Sequence, residues 1–218
     1  DNDEFSGFLK SNGFYIAEKS NSNYNQTSLS MPSTLNMSYI KNVGDDLFSR
    51  AESLDLYHQN KVLNFVKSGG YNYISNTKLY NFRINPSADF NITCKSNNEF
   101  LNELTNFTIL KPADLIHTRT RLGRRRDVFC VLDRTVDNRV KSPKFTFTHL
   151  FPPHPPFIFG PNGEDVGQAN LSLSKGDKYS DKGLYLGQLQ YVNKLLTKAI
   201  KQVLEKDPDA VIVIQSDH

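Results

Sequence analysis

The chain has 218 residues, 38% hydrophobic and 22% charged, enough apolar content for one sizeable core and too short for a second full domain. A net charge of +3 is too slight to mark a nucleic-acid-binding surface. No stretch approaches the ~20 apolar residues that cross a bilayer, and no signal peptide opens the chain; the acidic start DNDEF, running straight into helical pattern, is expected to be a cut within a larger protein.

Phe5, Phe8 and Leu9 make a short helical stripe closed by Gly13, and Phe14-Tyr15-Ile16-Ala17 reads as a strand. After an Asn- and Ser-rich loop at 20–26, TSLSMPSTLNMSYI reads as a helix from Thr27, with Pro32 in its first turns, where a missing N–H is tolerated. From Asp45 to Lys67 the spacing of Leu47, Leu54, Leu56, Val62, Leu63 and Val66 predicts one or two helices. Gly69-Gly70 ends them, and YNYIS follows as a short strand. Residues 80–115 carry the weakest pattern: FLNELTNFTIL (100–110) reads as a helix and the remainder as loop.

VFCVLD (128–133) fits helix and strand equally, whereas KFTFTHLF (144–151) alternates as a strand should before two Pro-Pro pairs break it. Residues 161–182 read as loop. Leu186, Leu189, Val192, Leu196, Ala199, Ile200 and Val203 then mark the clearest amphipathic helix, and beyond Pro208 the run DAVIVIQ reads as a buried strand. Strands alternating with helices predict an α/β fold: one domain over residues 1–218, a mostly parallel sheet flanked by helices on both faces.

Three places could carry chemistry. Thr27 stands at a loop-to-helix junction, where amide donors and the positive helix end stabilise an alkoxide or a phosphate; an ordinary N-cap threonine is the competing reading. His149 and His154 flank a proline-stiffened turn that would aim an imidazole at an anion, or they are a satisfied core histidine and a kinked surface loop. Asp217-His218, just past a strand's carboxyl end, form a natural half-site for a divalent metal, although an isolated Asp-His pair is most often exposed loop. The arginines at 119, 121, 124, 125 and 126 read as a solvated face, with contact to anionic lipid head groups as the alternative. Cys94 and Cys130 either pair or stand as two buried thiols, and no metal spacing links them.

In this order the segments resemble the alkaline phosphatase superfamily, in particular bacterial membrane-anchored sulfatase-like enzymes such as phosphoethanolamine transferases and lipoteichoic acid synthases. TSLSMPSTLN is similar to the transferases' Thr-x-x-Ser-x-Pro pattern, HLFPPHPP to a His-Leu-x-x-x-His-x-Pro segment, and IVIQSDH to the Ser-Asp-His-Gly metal motif. The resemblance implies that Thr27 is nucleophile and metal ligand, that His154 contacts substrate, and that Asp217 and His218 bind a divalent ion (zinc, manganese or magnesium). It also implies a domain truncated at both ends, with a first metal carboxylate and a further histidine outside it, and therefore a feeble or empty metal site. The parent would carry membrane helices ahead of an extracytoplasmic domain, and the substrate would be a phosphate-containing lipid or glycan.

The residue at 27 chooses between two chemistries. Sulfatases of this superfamily oxidise the Cys or Ser of a Cys/Ser-x-Pro-x-Arg motif to an aldehyde. Threonine's extra methyl would give a ketone, and Met31 occupies the arginine position. Transfer of a phosphoryl-type group through a threonine ester is the expectation, with water or a hydroxyl as acceptor. A catalytically silent domain that binds glycans or envelope partners is the alternative, and a true sulfatase ranks below both. An unrelated α/β module would place Thr27, His154 and Asp217 far apart.

Overall fold

The computed structural model of the chain describes residues 2–40, 50–77, 84–92, 94, 113–137, 139–167 and 181–218, with backbone alone at 50 and 113–121. The predicted helix at 100–110 lies outside these. The chain forms two compact units: residues 1–14, 94–136 and 150–208 make one, and residues 15–93, 137–149 and 209–218 the other.

The second unit holds the sheet. β1 (Asn72–Thr77) lies between β2 (Phe90–Asn91) and β3 (Lys144–His149), and all three run parallel. The β1–β3 ladder pairs Asn72 with Lys144 through to Thr77 with His149. Tyr73, Ile74, Ser75, Asn76 and Thr77 are buried in succession, so both faces of β1 are covered, as a central parallel strand requires. Phe145, opposite Tyr73 in the register, stacks on its ring at 5.3 Å.

Among the described residues, three helices accompany the sheet: α2 (Thr27–Asn36), α3 (Arg50–His58) and α4 (Lys61–Ser68). The two-helix reading of 45–67 holds, and Asn60 is the reason. Its side-chain amide donates to the Tyr57 carbonyl at 2.8 Å, and its oxygen accepts from the Leu63 N–H at 2.7 Å, which ends α3 and caps α4 with one buried residue. Gly70, at φ +80°, turns the chain after α4. Met31 and Leu35 of α2 pack on Tyr57 of α3, and Phe147 of β3 closes the cluster.

The first unit is built on α1 (Asp3–Ser11), α5 (Ala113–Val136) and α6 (Lys182–Lys206). Val128, Leu132 and Val136 recur every four residues along α5 and meet Ile158, Phe159 and Ala199. That spacing settles VFCVLD as helix. Cys94 and Cys130 form a disulfide, so the pairing left open by the sequence is made.

Three strand expectations need correction. Residues 14–17 form no strand, and Tyr15 is 91% exposed. The run DAVIVIQ pairs with none of the described strands, and Val211 and Val213 are 93% and 78% exposed. β-Branched residues supply propensity, but a strand exists only where a partner takes its N–H and C=O groups. β2, in contrast, fell in the stretch read as loop; two residues are too few to show alternation. The architecture is α/β, a small all-parallel sheet flanked by helices.

Candidate active site

Thr27 opens α2, but it is not the cap. Gln26 is the N-cap, extended at φ −137° and ψ 132°, and its carbonyl accepts from the N–H groups of Leu29 and Ser30 at 3.0 and 2.8 Å. Its side chain makes no capping bond. Thr27 is therefore the first helical residue, at the positive end of the helix dipole.

The chain's last residues reach this helix end. His218 Nε2 lies 3.3 Å from Thr27 Oγ1, across 191 positions of sequence. Ser30, 1% exposed and one turn further along α2, donates its hydroxyl to the Asp217 carbonyl, which ties the tail down beside Thr27. Ser216 Oγ donates to the His218 carbonyl at 2.6 Å and tightens the same turn. Thr27, Asp217 and His218, named from two separate motifs, thus share one corner of the second unit.

Asp217 Oδ2 is buried and accepts no hydrogen bond, with His218 Nε2 at 3.7 Å. A buried carboxylate oxygen without a donor is costly unless a cation faces it. With a hydroxyl and an imidazole nitrogen alongside, the donor set is oxygen, oxygen and nitrogen, which suits a divalent metal. The residues fit such an ion as a half-site: among the described residues, no group of three or more His, Cys, Asp and Glu side chains gathers.

His154 belongs to the other unit, on the loop after β3 in which the Pro152–Pro153 and Pro155–Pro156 bonds are cis. Its Nδ1 is 2.6 Å from the Pro155 carbonyl, which can only accept, so Nδ1 carries the proton. The Phe151 ring packs on the imidazole at 4.6 Å. His149 is half-buried at the end of β3.

The arginine run, where its side chains are described, is not uniformly a solvated face. Arg126 is exposed, whereas Arg125 donates to the carbonyls of Ile158, Gly163 and Glu164 at 2.6, 2.5 and 3.2 Å. Its guanidinium also lies 4.6 Å over the Phe159 ring. A five-donor planar fork can serve three carbonyls and an aromatic face at once, and an ammonium cannot.

Two supporting residues are given no role by the sequence reading. Ser30 is the serine of the Thr-x-x-Ser-x-Pro pattern, and it follows Thr27 by three positions and so shares its helix face. Ser53 left no signal. It meets a need that Pro32 creates: as the sixth residue of α2, Pro32 cannot donate to the Ser28 carbonyl four residues back, and Ser53 Oγ of α3 donates there instead. The expected tolerance of Pro32 in a first turn therefore rests on a neighbour.

No curated protein and no solved structure matches the chain. A family model described as Sulfatase matches residues 6–218 and so runs through both units. Domains of that family generally use a divalent metal. By that match, which covers nearly the whole chain and agrees with the parallel sheet flanked by helices, the chain belongs to the sulfatase family of the alkaline phosphatase-like superfamily.

Proposed function

We propose that this sulfatase-family hydrolase or transferase acts on phosphorus, with Thr27 as nucleophile, and that its substrate is a phosphate diester or a phospholipid-derived envelope compound. The observation that carries the reading is the 3.3 Å approach of His218 Nε2 to Thr27 Oγ1 at the start of α2. A divalent ion held by Thr27, Asp217 and His218 would lower the hydroxyl's pKa and screen charge on phosphorus. The protein's own part is positional. Ser30 anchors the tail that brings Asp217 and His218 to Thr27, and the first amides of α2 face the anionic group.

Chemically, the Thr27 Oγ1–P bond forms as the bond from phosphorus to the leaving oxygen breaks, and that oxygen takes a proton. In the second step an acceptor hydroxyl, from water or a glycan or lipid, displaces Thr27 and returns its proton. His154 is the residue proposed to bind a non-bridging oxygen or protonate the leaving group. Sulfuryl chemistry is disfavoured by Thr27 itself and by Met31, which is 4% exposed within the α2–α3 cluster and supplies no guanidinium.

An extracytoplasmic setting, with the domain tethered to a membrane, is proposed as well. The Cys94–Cys130 disulfide supports it, because such bonds persist in oxidising compartments. None of the described helices is long and apolar enough to cross a membrane.

The test is turnover of bis(4-nitrophenyl) phosphate against 4-nitrophenyl sulfate, with divalent metal supplied. Thr27→Ala is expected to lower diester turnover on the order of 10³-fold or more, and Thr27→Ser to keep most of it. Diester activity that survives Thr27→Ala removes the mechanism, and turnover of the sulfate ester alone restores the sulfatase reading. A folded protein inert toward both esters favours the silent, glycan-binding alternative.

A further inference from the structure

We propose that Gln188 is the positioning residue for His154, holding the proline loop so that the imidazole is presented in one tautomer and one orientation. The inference rests on the reading above, in which His154 faces substrate, and it adds a residue that the motifs did not name. Gln188 lies on α6 amid an otherwise apolar stripe, four residues before Val192, and is 0% exposed.

All four hydrogen-bonding positions of its amide are engaged by one loop. Nε2 donates to the carbonyls of Pro153 and His154 at 3.1 and 3.2 Å. Oε1 accepts from the N–H groups of Ile158 and Phe159 at 2.7 and 3.3 Å. A buried amide with every position filled is a rigid strut. Here it spans the loop on both sides of His154, joining the residues before Pro155-Pro156 to those after it.

That strut matters for the ring. Prolines 152, 153, 155 and 156 have no N–H to give, so the loop has few internal means of bracing itself. Within it, the His154 N–H donates to the Phe151 carbonyl at 3.1 Å. The imidazole is then placed by its Nδ1 contact with the Pro155 carbonyl and by Phe151 against its face. Both contacts come from loop backbone or loop side chain, so what braces the loop also bears on the ring. To hold a phosphoryl oxygen the ring must donate from Nε2 as the imidazolium, and that contact gains from such bracing, because misplacement by about 1 Å can cost roughly 100-fold in rate.

The experiment compares wild type, Gln188→Met and Gln188→Glu. Methionine is close in volume and removes all four bonds, while an ionised glutamate keeps two acceptors and loses both donors. Long-range ¹H–¹⁵N spectra of the imidazoles report His154's tautomer with no need for activity. In the neutral imidazole, wild type should carry the proton on Nδ1, whereas the variants should show exchange between tautomers. An unchanged His154 signature in either folded variant overturns the proposal, and Gln188→Glu carries the test if Gln188→Met fails to fold. Kinetics separate this proposal from the reading it rests on. Gln188→Met should lower diester kcat/KM about 10- to 100-fold, and His154→Ala combined with it should cost no more than His154→Ala alone. If His154→Ala leaves turnover unchanged, the role of His154 fails while the spectra still judge Gln188.

Discussion

At the scale of single residues, Arg125 shows how charge counting misleads. Five arginines within eight positions suggested a wet basic face, yet Arg125 serves three carbonyl oxygens and an aromatic ring. Gly163 explains part of the arrangement. At φ +84° a side chain there would collide with the Tyr191 ring, so the chain passes close enough for its carbonyl to reach Arg125. Arg125→Lys is expected to lower unfolding free energy by about 2 kcal/mol or more, since one ammonium leaves carbonyls unpaired. Urea titration measures this, and an unshifted midpoint would show that the fork is dispensable.

Among elements, α2 draws the most from its surroundings. It begins without a side-chain cap, contains a proline, and ends at Met37 in the left-handed region at φ 52°. Ser53 repairs the proline's missing bond, and Asn36 Nδ2 donates to the Leu56 carbonyl at 2.8 Å, so α3 supports α2 at two points. Ser53→Ala should cost about 1–3 kcal/mol, the usual penalty for an unpaired buried acceptor. Pro32→Ala restores an N–H to the Ser28 carbonyl, so the double variant should lose less than the sum of the singles. Strictly additive losses in denaturant titrations would mean that the two residues are not coupled.

Helices and the two longer strands were largely legible, because spacing of 3.6 or 2.0 residues is a local property. The stripe of α6, the β3 alternation and the Gly70 stop could be read directly. The misses at 14–17 and 210–215 share one cause: apolar and β-branched residues signal a capacity for pairing, whereas pairing depends on a partner remote in sequence. The candidate site residues are legible in a different way: Thr27, Asp217 and His218 are named by motif resemblance, whereas the contacts of Ser30 and Ser53 around α2 belong to geometry.

For the whole molecule, acid should act in two windows. Burial pushes the His58 imidazole below its ordinary value, against the opposing pulls of the Ile84 backbone and the Asp55 charge. A group depressed on folding adds stability that is complete above its unfolded pKa, about 6.5, and is lost as pH falls through the lower folded value. Asp89 responds further down. Burial alone would raise it, but the Lys67 ammonium at 2.8 Å and the Tyr73 N–H outweigh that and hold it below its usual range. Its contribution therefore lasts until pH drops beneath the carboxylate range. Unfolding midpoints should decline between pH 7 and pH 5 in wild type and flatten over that interval in His58→Gln. A decline that persists in the variant would assign the effect to another group.

What the sequence determined on its own was the class of fold, the run of local elements and the chemistry that each motif could support, because periodicity and side-chain type are written in consecutive residues. The tertiary structure alone decided that Thr27 and His218 meet, that Cys94 pairs with Cys130, and that Arg125, Ser53 and Gln188 are spent on backbone carbonyls. The physical reason is that such contacts are closed by packing across tens to hundreds of positions, and no local pattern records which distant group will arrive.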